Sequence, residues 1–205
     1  MEKNTTPSSL QYEWHQNHPF KQFPVVKIDD TNLWLRPLQL TDALAIYEYA
    51  RSKNVTRYTL WPAHRNLADS INFVTTTIQN YTLKPNPEWA IVQNDLLIGT
   101  IGIHKWNAAH ARCEVGYVLN HKFWRQGITT LALKAVLKYG FTHLHLHRIQ
   151  ATCNPNNIAS WRVMEKCGML FEGIKRGYYL RQSNFEDCRL YAILQPDWLK
   201  KNDGE

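Results

Sequence analysis

The sequence predicts a mixed α/β fold, a single domain whose central sheet is mostly antiparallel and is flanked by helices. Three observations predict it. Apolar residues repeat every second position in some runs and about every 3.6 positions in others, and the two kinds succeed one another along the chain. Three strand-type runs follow directly on each other between residues 89 and 119, which makes that part of the sheet antiparallel. At 205 residues the chain can bury one core, and no internal repeat or low-complexity linker divides it.

The elements follow in order. Residues 1–28 read as an arm, polar and broken by Pro19 and Pro24, with Tyr12, Trp14, Phe20 and Phe23 placed to dock on the body. Leu33-Trp34-Leu35-Arg36 is a short strand stopped by Pro37. Thr41 is placed to cap a helix carrying Leu44, Tyr47 and Ala50, and Leu67, Ile71, Val74 and Ile78 mark a second amphipathic helix. Residues 89–92 and 97–104 flank the tight-turn pair Asn94-Asp95 and form a hairpin. In the strand over 112–119, Glu114, Gly116 and Val118 share one face, and Val115, Tyr117 and Leu119 the other.

The period then lengthens. Ile128, Leu131, Ala132, Ala135, Val136 and Tyr139 form the stripe of a helix that starts just after Gly127. Residues 147–153 return to strand character, broken by Asn154-Pro155. Ser160, Val163, Met164 and Cys167 share a face of a short helix that Gly168 ends. Residues 185–194 form a last strand before Pro196.

Composition narrows the classes. No apolar run reaches the roughly 20 residues a membrane span needs, and the first ten residues lack the apolar stretch of a secretory signal. Cys113, Cys153, Cys167 and Cys188 are far apart and fit neither a zinc ribbon nor a disulfide framework, so we expect free thiols in a reducing cytoplasm. The balance of 24 Lys and Arg against 17 Asp and Glu gives a net charge of +7, which attracts polyanions such as RNA, acidic lipid or a phosphorylated cofactor. His143, His145 and His147 alternate, but no carboxylate or cysteine pattern joins them, and no metal site is expected.

Two stretches carry chemistry. The strand ending in Leu119, a short loop and Gly127 at a helix start form either an ordinary turn or an anion site, since the first amides of a helix lack partners and carry positive potential. Lys122 and Arg125 add charge there. Asn157 is placed to cap the later helix. Ser160, on the apolar stripe of that helix, must bond either the backbone four residues back or a group in a cavity.

Taken in order, these pieces resemble the GNAT acetyltransferase superfamily, and within it the RimJ/RimL group of ribosomal-protein N-terminal acetyltransferases. The resemblance rests on Leu35-Arg36-Pro37-Leu38, on Glu114-Val115-Gly116-Tyr117, on the run from Trp124 to Thr130, and on Asn157 and Ser160 leading to Lys166-Cys167-Gly168-Met169. Glu172-Gly173 and Pro196-Asp197-Trp198 extend it, so that it covers residues 29–198 and leaves 199–205 as a tail. It departs at the phosphate loop, where Trp124-Arg125-Gln126-Gly127-Ile128-Thr129 has Arg125 in place of a glycine and Thr129 in place of a smaller residue.

The resemblance implies a GNAT fold with splayed central strands, acetyl-CoA as cosubstrate and an amine acceptor. It implies that the backbone of Tyr117, Val118 and Leu119 lies along the pantetheine, with Val118 the donor on the thioester side. The amides of Arg125, Gln126, Gly127, Ile128, Thr129 and Thr130 would hold the pyrophosphate, with the Arg125 guanidinium laid upon it. Asn157 would bind the pantetheine arm, Ser160 would protonate the departing sulfur, and Glu114 would take the amine's proton or else form a structural salt bridge. Tyr178-Tyr179 would lie near the acceptor or else serve packing. An α-amine, with a pKa of about 7.7–8.0 against about 10.4 for lysine, asks less of a base. A protein N-terminus, such as that of a ribosomal protein, is therefore the expected acceptor, with ribosome association favoured by the basic charge. A small amine or antibiotic as acceptor, and an idle regulator that binds coenzyme A or RNA, stay open.

Overall fold

Eight strands make one sheet in the computed structural model, which describes residues 25–28, 31–83, 87–181 and 183–202. They are β1 (Val26–Lys27), β2 (Leu33–Pro37), β3 (Glu88–Gln93), β4 (Leu96–Asn107), β5 (Arg112–Leu119), β6 (Arg148–Cys153), β7 (Leu170–Arg181) and β8 (Asn184–Leu194). Their spatial order is β1-β2-β3-β4-β5-β6-β8-β7, and every neighbouring pair is antiparallel except β5 with β6. The expected mixed, mostly antiparallel sheet is what forms. Tyr12, Trp14, Phe20 and Phe23 lie outside the described residues, whereas Val26 and Lys27, at the end of the expected arm, pair with Leu35 and Trp34.

The helices are α1 (Ala43–Ala50), α2 (Leu67–Leu83), α3 (Ile128–Thr142), α4 (Ile158–Lys166) and α5 (Gln195–Asn202). Two buried clusters lie on opposite faces of the sheet. Trp89 and Ile91 of β3 join the first, with α3 and α4, while Ala90 and Val92 join the second, with α1 and α2. Burial on both faces explains why β3 reads as an unbroken apolar run. Asn94 and Asp95 turn the β3–β4 hairpin with positive φ at both, 49° and 64°, as a primed two-residue turn requires.

The first two helices differ in phase from expectation. Ala43, Ile46, Tyr49 and Ala50 are buried in α1, while Leu44 is 67% exposed. The same spacing of three is available one residue earlier, and there it buries the larger Ile46 and Tyr49. In α2, Leu67 and Ile71 are exposed and Ser70, Val74 and Tyr81 are buried. Thr41 is not the cap. A 3-10 turn over Leu40–Asp42 precedes α1, and the Asp42 carboxylate accepts the Gln39 N–H at 2.7 Å while both Arg36 terminal nitrogens donate to it at 2.7 Å. Asp42 wins because a bidentate Arg36 partner fixes it there.

The later elements follow the pattern closely. In α4 the Met169 N–H donates to Met164 O and the Gly168 N–H to Glu165 O, with Gly168 at φ 81°. This is the Schellman end expected of a C′ glycine. Helix α5 was not anticipated, since Pro196 reads as a stop. Proline lacks only a donor that a helix start leaves unused, and Trp198 anchors the helix by packing 5.4 Å from Phe141, centroid to centroid. Among the described residues no helix is long and apolar enough to cross a membrane.

Candidate functional site

Strand β5 makes the cleft by leaving its neighbour. Arg112, Cys113 and Glu114 pair with Arg148, Ile149 and Gln150 of β6, and then the two parallel strands part. From Val115 to Leu119, β5 pairs with no strand but β4, so its other edge borders the cleft. That edge borders a cavity of about 1080 Å³, which is also lined by Glu114, Tyr117, Val118, Leu119, Arg125, Gln126, Gly127, Ile128, Thr129, Thr130, Asn157 and Ser160. The structure thus brings these sequence-predicted site residues to one space, while Lys122 and Tyr178 do not line it.

The loop before α3 is built from short local bonds. Asn120, buried, accepts the Lys122 N–H, and the Trp124 indole donates to Leu119 O at 2.9 Å. Arg125 and Gly127 are left-handed, with φ of 63° and 77°. The position where a glycine was missed therefore keeps a glycine-like backbone, at a steric cost to Arg125. Helical bonding begins with the Leu131 N–H on Gly127 O at 3.1 Å, so the amides of Ile128, Thr129 and Thr130 precede it. Lys122 is turned away, its ammonium paired with Glu48 of α1.

Across the cleft, the Tyr117 hydroxyl donates to Ser160 O at 2.9 Å and lies 3.1 Å from Ser160 Oγ. The Ser160 side chain also bonds Cys153. Its partners are therefore cavity groups. Burial pushes the Tyr117 phenol well above its ordinary pKa, opposed by its bond to Ser160. Asn157 caps α4 by accepting the Ser160 N–H at 3.3 Å.

Glu114 is held on several sides. Lys105 Nζ lies 3.2 and 3.1 Å from its two oxygens, Gln150 Nε2 donates at 3.2 Å, Thr152 Oγ1 at 3.0 Å and the Tyr179 hydroxyl at 3.3 Å. Burial raises its pKa, but the Lys105 charge and the bonds from Lys105, Gln150 and Thr152 outweigh it and leave it below the usual carboxylate range. The expected alternative, a salt bridge, is thus made, with Lys105 of β4. A carboxylate so stabilised is a weak proton acceptor. Tyr179 reaches the cavity, while Tyr178 stacks edge-on against it at 4.8 Å.

Sequence reasoning missed Glu88, Thr100 and His104, which line the same cavity on the face of Glu114 and Gly116. Gly102 and Gly116, glycines in strand interiors, were the available signal, because such positions mark a close approach. The cavity is also lined by the aromatic residues Tyr58, Trp61, His64 and Phe73. There Arg181 of β7, paired with Glu186, donates to Arg57 O at 2.8 Å and ties the β7–β8 hairpin to the segment after α1. Among the described residues no group of three His, Cys, Asp or Glu could hold a metal ion. His143 instead stacks on Tyr139 at 4.9 Å.

A family model described as an acetyltransferase (GNAT) domain matches residues 32–170. The uncharacterized N-acetyltransferase YoaA of Bacillus subtilis (strain 168) is 34% identical over 176 residues, which span 85% of this chain and 98% of that protein. A [ribosomal protein uS5]-alanine N-acetyltransferase of Escherichia coli (strain K12) is 33% identical over 86 residues, 42% of this chain and 44% of that one. A crystal structure of a GNAT-family acetyltransferase from Bacillus anthracis superposes with a TM-score of 0.75 at 32% identity, covering 84% of this chain and 99% of that one.

Proposed function

We propose that this chain, which belongs to the GNAT acetyltransferase family, moves an acetyl group from acetyl-CoA to the α-amine of a protein N-terminus. One observation carries the reading: the amides that open α3, the free edge of β5 and the Tyr117–Ser160 hydroxyl pair all face a single cavity.

The loop fits a diphosphate. Arg125 and Gly127 both turn left-handed, and a Cβ at Gly127 would meet nothing within 4 Å, so that face of the loop is open. The amides of Ile128, Thr129 and Thr130 stand ahead of the first helical bond, where the helix dipole favours an anion. Acetyl-CoA, when bound, supplies an acetyl group activated as a thioester. Residues 125–130 hold its pyrophosphate, with Arg125 adding charge, and the β5 edge at Tyr117, Val118 and Leu119 lies along its arm with Asn157 opposite. Alternation along β5 turns the N–H of Val118, the expected donor, toward Thr100 of β4 and turns those of Tyr117 and Leu119 to the cleft. The donor to the developing negative oxygen is therefore one of these two amides. Ser160, bonded to Tyr117, gives the proton that the sulfur needs.

The acceptor rests on chemistry. An α-amine loses its proton at about pH 7.7–8.0, near neutrality. The cavity of about 1080 Å³ extends past the carboxylates to the aromatic residues Tyr58, Trp61 and Phe73, which offer an acceptor apolar contacts beyond its amine. The relative that acetylates alanine of ribosomal protein uS5 supports the same class. The net charge of +7 suits association with RNA-rich particles such as the ribosome, weakening as salt rises. Four free buried cysteines suit the cytoplasm.

The test is thiol release from acetyl-CoA with N-terminal peptides, polyamines and aminoglycosides offered in parallel. Peptide turnover is expected. Turnover of only small amines would move the acceptor to that class, and binding of coenzyme A without any turnover would leave an idle binder.

A further inference from the structure

Two glycines open a space on the cavity side of the sheet, and an acid and a base fill it. Glu88, at the start of β3, stands across from Gly102 of β4, which stands across from Gly116 of β5. A Cβ at Gly102 would lie 1.8 Å from Glu88 Oε2, and one at Gly116 would lie 3.2 Å from His104 Nε2. A side chain at Gly102 would displace Glu88, and one at Gly116 would crowd His104. Glu88 Oε2 and His104 Nε2 are 3.6 Å apart, with side chains 13% and 48% exposed. Thr100 bonds the Glu88 carboxylate, and all three residues line the cavity.

We propose that Glu88, working with His104, is the base that takes the proton of the acceptor ammonium, on the reading above that an amine is acetylated in this cavity. Glu114 then shapes the site and does not carry the proton. The two carboxylates share a face of the sheet, but their surroundings differ in kind. Glu114 is surrounded by donors that favour its charge, whereas burial raises the pKa of Glu88 in spite of His104 and Thr100. Two carboxyl groups pushed in opposite directions divide into a proton carrier and a fixed charge.

The groups facing Glu88 support the division. His104 is its neighbour on β4, the Tyr49 phenol approaches from α1 and Tyr81 from α2, with Asp42 behind them. Lys105 is taken by Glu114. Arg36 of β2 is taken by Asp42, so His104 is the basic side chain left within reach of Glu88, and its half-exposed ring can pass the proton on to solvent.

The protons balance. The ammonium gives one proton to Glu88, and His104 relays it to water. The freed nitrogen lone pair forms the bond to the acetyl carbon, the carbon–sulfur bond breaks with its electrons on sulfur, and the nitrogen's second proton ends on that sulfur through Ser160. One amide, one thiol and one released proton result.

The experiment uses the full chain with acetyl-CoA and whichever amine the panel shows to be acetylated, comparing wild type with Glu88→Gln, His104→Asn and Glu114→Gln. Glu88→Gln keeps the shape of the side chain and is expected to lower kcat by about 10²–10⁴-fold, to move the acid limb of the kcat/KM profile up to the ionisation of the amine itself and to leave the acetyl-CoA dissociation constant unchanged. His104→Asn is expected to shift that limb. An acceptor already neutral at neutral pH, such as an aniline or an alkoxyamine, is expected to restore Glu88→Gln toward wild type. Unchanged kcat in Glu88→Gln, or a raised KM alone, overturns the proposal, as does the upward move of the acid limb in Glu114→Gln instead. A wild type that turns over only small amines overturns the N-terminal acceptor and leaves Glu88 to be judged with those amines. A wild type that acetylates nothing overturns both.

Discussion

Tyr117 of β5 and Ser160 of α4 meet hydroxyl to hydroxyl at 3.1 Å across the cleft where β5 and β6 have parted. Neither group is acidic enough alone to protonate a thiolate well, but two hydroxyls in series share the load. Ser160→Ala is expected to lower kcat roughly tenfold to a hundredfold without changing the acetyl-CoA dissociation constant, and Tyr117→Phe to act in the same direction. Steady-state thiol release and calorimetry measure the two quantities. Unchanged kcat in Ser160→Ala would take the serine out of the chemistry.

Arg125 carries backbone strain and a charge in one residue. Arg125→Ala and Arg125→Gly both remove the charge and should weaken acetyl-CoA binding. Only the glycine also relieves φ 63°, by about 1 kcal/mol, so Arg125→Gly should melt higher than Arg125→Ala. Equal melting temperatures would show that the left-handed turn costs nothing there.

The two cavity carboxylates should give opposite stability profiles. Glu114 has a depressed pKa in the folded state, so its stabilisation is present above the ordinary carboxylate value and is lost as pH falls through the folded one. Glu114→Gln should therefore cost about 1–3 kcal/mol near neutral pH, with the gap closing in acid. Glu88 has a raised pKa, so its contribution is present below the ordinary value and is lost as pH rises through the folded one. Glu88→Gln should match wild type in acid and be the more stable protein near neutrality. Urea unfolding across pH reads both slopes.

Gly102→Ala tests the space itself. Its Cβ would stand 1.8 Å from Glu88 Oε2, which forces either the carboxylate or the strand to move and should destabilise by about 1–3 kcal/mol. Turnover should fall with acetyl-CoA binding retained, because the loop before α3 lies elsewhere. Wild-type turnover in this variant would show that the position of Glu88 is unimportant.

Much of this was legible in the residues. Strand β5 and helix α3 have periods that only one phase satisfies, and Gly127 marks their junction. In α1 the spacing of Leu44 and Tyr47 is matched by Ala43, Ile46 and Tyr49, so only packing against the sheet could choose the face. Helix α5 was hidden by Pro196, whose stop and start meanings look alike. The loop and Ser160 were legible through order and spacing along the chain. Glu88 and His104 were not, because they meet only through sheet register, with no local pattern joining residues on separate strands. The true partners of Glu114 were hidden for the same reason. Lys105 reaches it through an irregularity in β4, where φ turns to 49°.

The parting of β5 from β6 also bears on cohesion. The sheet is sewn across its middle by three residue pairs, Arg112 with Arg148, Cys113 with Ile149 and Glu114 with Gln150. A molecule seated in the cleft would touch the half-sheet on each side and act as a staple across that seam. Its binding energy then becomes folding energy, growing with the logarithm of its concentration. The melting point of this protein should thus work as a gauge of how much coenzyme surrounds it.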